Sequence, residues 1–391
     1  MSNLLNSSYN NNNNDDNNND NNENKENDFT KNLLKDEIKI NKNIEKRKSK
    51  ILDYISLVKI IACFSVIMLH SNGVYWKFNI KTYKRFWISA NLIECIFYFA
   101  VPLFILCIGA TLLDFNEKYG LKVYFDRRVK KIIIPLICWN VIFYFYKVYI
   151  IRNIAKEKIT FVYLWNLYFE SKLNAIFSSI HIFLKMYMII PLLAFVEKSN
   201  KIKIYSYCLA TLFIGQSLVP YLINLFQPKL VWIYNINVDQ LLYIFAGYII
   251  QNYKFSNPKK LKIYFFGIVA LLIHIFGTQI LTIKYKKISY LHKGYVNVPC
   301  VIYSCASFLF IKENAHFIFK LINKKFINKI GSLTFGPFFL HMIFKNTYDL
   351  YFKPNVFSIK YRVYTSIINL FICLIITYIL KKIPLLNHLV P

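Results

Sequence analysis

From residue 52 to residue 380 one pattern repeats: continuous apolar runs, several of about 18 residues or more, separated by short polar stretches rich in lysine. The runs do not alternate apolar and polar positions over about ten residues as the strands of a membrane barrel do. Their length instead matches helices that cross a bilayer. Ten such spans are expected, at 54–73, 89–113, 132–151, 181–196, 204–226, 238–250, 263–283, 296–311, 330–345 and 363–380. The fold class predicted is all-α, a polytopic integral membrane protein with its helices around a central polar cavity. Residues 1–50 break the pattern. Their Asn/Asp run, Tyr9 to Asn24, has almost no apolar surface to bury, so a disordered tail is expected ahead of a transmembrane domain over 51–391.

Composition agrees with this reading. Of 391 residues, 56% are hydrophobic and 18% aromatic, with only 10 Gly and 11 Pro, which few water-soluble chains show. A net charge of +29 would suggest nucleic acid in a soluble protein. Here the cations sit in the connections, where they face anionic lipid head groups, so membrane lipids and not nucleic acid are the expected partners. Lysine and arginine are modestly enriched on the side that carries both termini, which predicts cytoplasmic termini. The eight cysteines lie in or near apolar runs without paired spacing, and they read as small core residues, with no metal site expected. No cleavable leader is expected, because Lys46, Arg47, Lys48 and Lys50 lead into a full-length span.

Ionisable residues inside the spans change the picture most. The first span carries Lys59 near one end and His70 near the other. An 11-residue step returns to within about 20° of the same helix face, about 16 Å further along; Ser56 and Cys63 share that face. A lysine within a span costs about 2.5–3.5 kcal/mol on insertion scales, so it points into the protein or snorkels to an interface. Both readings fit Lys59, and His70 fits either a functional group or a helix end before Ser71-Asn72-Gly73.

Further along, Phe125 to Pro135 places Arg127, Arg128, Lys130 and Lys131 at the entrance of the third span. Arg128 and Lys131 would share a face at i, i+3. Such a patch holds a lipid head group or the phosphates of a nucleotide-containing substrate. The connection from Arg152 to Ile180 is long, aromatic and mildly amphipathic, which suits a segment at the interface or over a cavity. His181 opens the fourth run, and His274, mid-span in the seventh, reads as a satisfied core histidine. In the ninth run Gly336-Pro337 should break the helix, with Thr334, Pro337 and His341 on one face. A histidine beside a broken span borders a cavity or bonds to a neighbouring helix.

Several of these segments together resemble the acyltransferase-3 family of integral membrane O-acyltransferases. Lys59-x10-His70 is similar to the family's Arg-x10-His pattern, with lysine in place of arginine. Ala100-Val101-Pro102-Leu103-Phe104 followed by Gly109 resembles the family's second-span segment, and Phe125 to Pro135 its basic loop. Phe245-Ala246-Gly247-Tyr248, the partial His181-Ile182-Phe183 motif, and Ser332 to His341, one residue shorter than the family spacing, look like later segments. The resemblance covers roughly residues 51–381 in order. It implies transfer of an acyl group, most often acetyl, from cytoplasmic acyl-CoA to a hydroxyl of a cell-surface glycan or its lipid-linked precursor in the cell membrane. His70 would be the general base or acyl carrier, Lys59 would line the path, and His341 would orient the acceptor or tune His70. Arg127, Arg128, Lys130 and Lys131 would face the donor's phosphates. A transporter of a lipid-linked sugar, or a non-catalytic subunit of a surface-polysaccharide complex, also fits a polar cavity with buried His and Lys.

Overall fold

The computed structural model describes residues 53–151, 175–226, 238 and 240–391. Contacts divide the chain into Met1–Leu52 and Asp53–Pro391. The tail expected to be disordered, and residues 152–174 of the expected interfacial connection, lie outside the described residues.

Every regular element among the described residues is helical. The first helix, α1, is Asp53–Ser71. Its apolar run ends at Ser71-Asn72-Gly73: the Asn72 N–H still reaches the Met68 carbonyl (3.0 Å), and Gly73–Trp76 then winds a 3-10 turn. Next, α2 (Tyr83–Phe97) and α3 (Ala100–Leu112) form one long apolar helical segment, Tyr83–Glu117, interrupted at Tyr98-Phe99. Pro102 stands in the first turn of α3, where its missing N–H leaves no helical bond unmade. The next helix, α4 (Leu121–Arg128), passes through a π turn at Val129–Ile133 into α5 (Ile134–Tyr146). Pro135 cannot donate to the preceding turn, and the widened turn just before it absorbs that loss. The second half continues with α6 (Ala175–Ala194), α7 (Lys201–Leu212), α8 (Val219–Phe226), α9 (Leu242–Asn252) and α10 (Asn257–Leu272). It ends with α11 (Thr278–Tyr285), α12 (Val298–Leu321), α13 (Lys324–Leu333), α14 (Phe335–Phe352) and α15 (Ile359–Lys382).

Six helices among the described residues are long and apolar enough to cross a membrane. The expectation was ten. The expected fourth run falls on the shorter apolar helix His181–Ala194, and the sixth on the 11 residues of α9. In the eighth, α12 carries Lys312, Glu313 and Asn314, and the ninth is divided between α13 and α14. That division falls at Thr334, two residues ahead of Gly336-Pro337. Pro337 occupies the first turn of α14, where a missing donor costs nothing, and the chain turns before it.

Two features position the interior. Helices α3 and α9 cross at backbone contact: a Cβ on Gly109 would lie 2.0 Å from the Ile244 carbonyl oxygen, and one on Gly247 would lie 2.2 Å from that of Leu106. Small residues let spans approach this closely, and packing then replaces the hydrophobic drive that lipid does not supply. Helix α15 is inside-out. Its buried face is polar, Arg362, Ser366, Asn369, Cys373 and Thr377, while Tyr364, Ile368, Phe371, Ile375 and Ile379 are exposed. The spacing of three and four residues keeps the polar set on one stripe.

Candidate active site

The face of α1 defined by Ser56, Cys63 and His70 lies against the broken segment α13–α14. A Cβ on Gly331 would meet Ser56 at 2.6 Å, so the two backbones touch there. Higher up, Cys63 Sγ donates to the Thr334 carbonyl at the break (3.6 Å). At the top, the rings of His70 and His341 stand 5.1 Å apart, tilted by 44°. One stripe of α1 thus follows the kinked segment from Gly331 to His341. The shared helical face read from the spacing is the one that places the two histidines together.

His341 is fully buried. Its Nδ1 pairs with the Pro337 carbonyl at 2.8 Å, and a carbonyl only accepts, so Nδ1 carries the proton. In the neutral ring the lone pair is then at Nε2, which is buried without a hydrogen-bond partner. Asn369 of the polar stripe on α15 donates from Nδ2 to the His341 carbonyl (2.9 Å). One turn beyond, Lys345 pairs with Asp349 at 2.8 Å.

Towards the other end of α1 lies a cavity of about 490 Å³, lined by Lys59, Arg128, Lys131 and Lys381 together with Phe104, Phe183, Tyr187 and Phe338. No Asp or Glu side chain is among the described residues that line it. Arg128 is held against Tyr124 and Tyr187, its guanidinium 5.0 and 4.9 Å from the two ring centres. The expected i, i+3 pairing survives the π turn, because Arg128 and Lys131 both face the cavity. Arg127 and Lys130 do not line it. Both are exposed, and Arg127 lies over Tyr119 at 4.2 Å.

Neither His70 nor His341 lines this cavity. Phe104, Phe183 and Phe338 line the cavity, their ring centres 6.0 to 6.3 Å apart. These rings pack in one apolar cluster with Val66 and Leu69, which stand on α1 just below His70. The site therefore has a cationic compartment, an aromatic wall shared with the apolar cluster below His70, and a histidine pair.

Beyond His70 a buried polar network closes the end of α1. Arg362 donates from Nη1 to Asn72 Oδ1 (2.9 Å) and from Nη2 to Ser89 Oγ (2.7 Å). Asn72 in turn donates to Glu94 Oε2 at 3.1 Å. Glu94 pairs with Lys293 at 2.8 Å, both side chains under 5% exposed. Burial lowers the pKa of Lys293, which Glu94 opposes, and the ammonium sits 3.6 Å from the Tyr75 ring centre and 4.2 Å from that of Trp76. His274 departs from the satisfied core histidine expected: both its ring nitrogens are buried without partners, and it packs beside the rings of Tyr98 and Tyr303.

Sequence reasoning missed Lys381, Asn369, Arg362, Glu94 and Lys293. For the first three a signal existed in the spacing 362, 366, 369, 373, 377 and 381, a polar stripe through an apolar span. Glu94 and Lys293 meet only through tertiary structure, with no local pattern to join them.

The family model described as an acyltransferase domain, that of the acyltransferase-3 family, matches residues 52–381. Comparison with curated proteins and with solved structures gives no match. Matched from the start of α1 to the last turn of α15, the chain belongs to the acyltransferase-3 family of membrane acyltransferases.

Proposed function

We propose that this membrane acyltransferase moves an acyl group, acetyl in the first instance, from cytoplasmic acyl-CoA to a hydroxyl of a cell-surface glycan or its lipid-linked precursor. The observation that carries the reading is the stacking along α1 of two unlike compartments, a cationic cavity with no Asp or Glu among its described lining residues and a histidine pair in which His341 is fully buried. Four cations gathered without an acidic side chain among the described lining residues suit a polyanion, and the phosphates of coenzyme A supply one. The histidines suit proton transfer near neutral pH.

In this mechanism Lys59, Arg128 and Lys131 hold the donor. Arg127 and Lys130 attract it from the surface outside the cavity. His70 removes the proton of the acceptor hydroxyl as its oxygen attacks the thioester carbonyl. The tetrahedral adduct then expels the coenzyme A thiolate, which takes the proton back from the imidazolium. His341 stands against His70 with its tautomer fixed by Pro337 and steadies that ring. The proposal includes ten crossings of the cell membrane around a central polar cavity, with both termini in the cytoplasm, so that Lys59 faces the donor side.

The test is transfer of radioactive acetyl from acetyl-CoA into the glycan and lipid-linked fractions of membranes carrying the wild-type chain or His70→Ala. General acid–base catalysis contributes about 10²- to 10⁴-fold, and the variant should lose about that much while inserting normally. Equal labelling by the two proteins would remove His70 from the mechanism.

A further inference from the structure

The cationic cavity contains one lysine that the donor-site reading does not use. Lys381 lies in the last turn of α15, far in sequence from Lys59, Arg128 and Lys131, yet lines the same cavity. Its Nζ donates to the Ser332 carbonyl at 2.9 Å, near the C-terminal end of α13, where unpaired carbonyls and the helix dipole favour a cation. An ammonium has three donors; this bond fixes the position of the group and leaves further N–H bonds for a ligand. The adjacent Lys382 behaves differently, lying over the Tyr378 ring at 4.7 Å.

Four cations around about 490 Å³ with no acidic side chain among the described lining residues repel one another until an anion of matching charge enters. We propose that Lys381 is a donor-anchoring residue that contacts a phosphate of acyl-CoA. This rests on the acyl-CoA reading given above and adds to the loop cations one from the far end of the domain. Ser332 stands two residues before the break at Thr334, whose carbonyl accepts from Cys63. The anchor is therefore tied to the segment that carries His341.

The experiment measures binding of coenzyme A to the purified full-length protein and to Lys381→Gln and Lys381→Arg. Loss of one charge-assisted contact should weaken binding about tenfold or more in the Gln variant, with Arg restoring most of it. Equal binding by wild type and Lys381→Gln would overturn the assignment of Lys381 and leave the acyl-CoA reading standing. Absence of binding by the wild-type protein would overturn both. A second measurement separates lost contact from damaged folding, by comparing transfer from acetyl-CoA with transfer from acetylpantetheine, which lacks the nucleotide phosphates. Preference for the former should fall about tenfold in Lys381→Gln; an unchanged preference would overturn the proposal, because misfolding alone reduces both donors alike.

Discussion

His341 owes its chemistry to three neighbours. The Pro337 carbonyl accepts from Nδ1–H, Asn369 donates to the main-chain carbonyl, and His70 faces the ring. None of these contacts reaches the cationic cavity, which fixes the kinetic signature of the residue. In His341→Gln the rate constant for transfer should fall by about 10- to 100-fold, with the KM for acyl-CoA unchanged, in initial-rate assays of label transfer. A raised KM at constant kcat would place His341 in donor binding instead. Lys59 and His70 were legible because a single helix relates them: the 11-residue step needs nothing beyond helical geometry. Asn369 shows in the sequence only as one position of a polar stripe, since the carbonyl it bonds lies 28 residues away.

Among the elements, the crossing of α3 and α9 explains two short glycine segments that sequence reading recognises without being able to interpret. Gly109 and Gly247 each stand where the other helix's backbone passes, and a methyl at either position would enter a carbonyl oxygen. Gly247→Ala should destabilise the domain by about 1–3 kcal/mol or more, read as a lower unfolding temperature in detergent and less protein in the membrane fraction. A variant as stable as wild type would show that the two helices separate freely. Each segment is visible in the chain. Their partnership is not, because Gly109 and Gly247 stand in separate helices and pair only through the fold. The same limit applies to the broken helix. Gly336-Pro337 announces an interruption, while its place at Thr334 follows from where a proline fits in a first turn.

At the scale of the whole molecule the cations of the cavity and the histidine pair are kept apart. Phe104, Phe183 and Phe338 wall the cavity with three rings in mutual contact and pack in the cluster that holds Val66 and Leu69 of α1. On the proposed acyl transfer, such an aromatic wall would keep water from the activated acyl group. Phe183→Ala should open it, and acyl-CoA hydrolysis without acceptor should rise several-fold relative to transfer, followed as release of free thiol. A variant with the hydrolysis of wild type would show that the rings do not bar water. An all-helical membrane fold could be read from the apolar runs, and the basic entrance of the third span from four cations in five residues. The number of long apolar helices, and the separation of the site into compartments, depend on how the runs bend and pack.

The inside-out character of α15 bears on how the protein is made. A helix with Arg362, Asn369, Thr377 and Lys381 on one stripe is a poor lodger in lipid by itself. Its partners are Asn72, Ser89, the His341 carbonyl and the Ser332 carbonyl, all of which leave the ribosome earlier. Until α15 docks, the end of α1 beyond His70 lacks its Arg362 clamp and the cationic cavity lacks one wall. Completion of this interior therefore waits on α15, and a nascent chain halted before residue 359 would lack both the clamp and that wall.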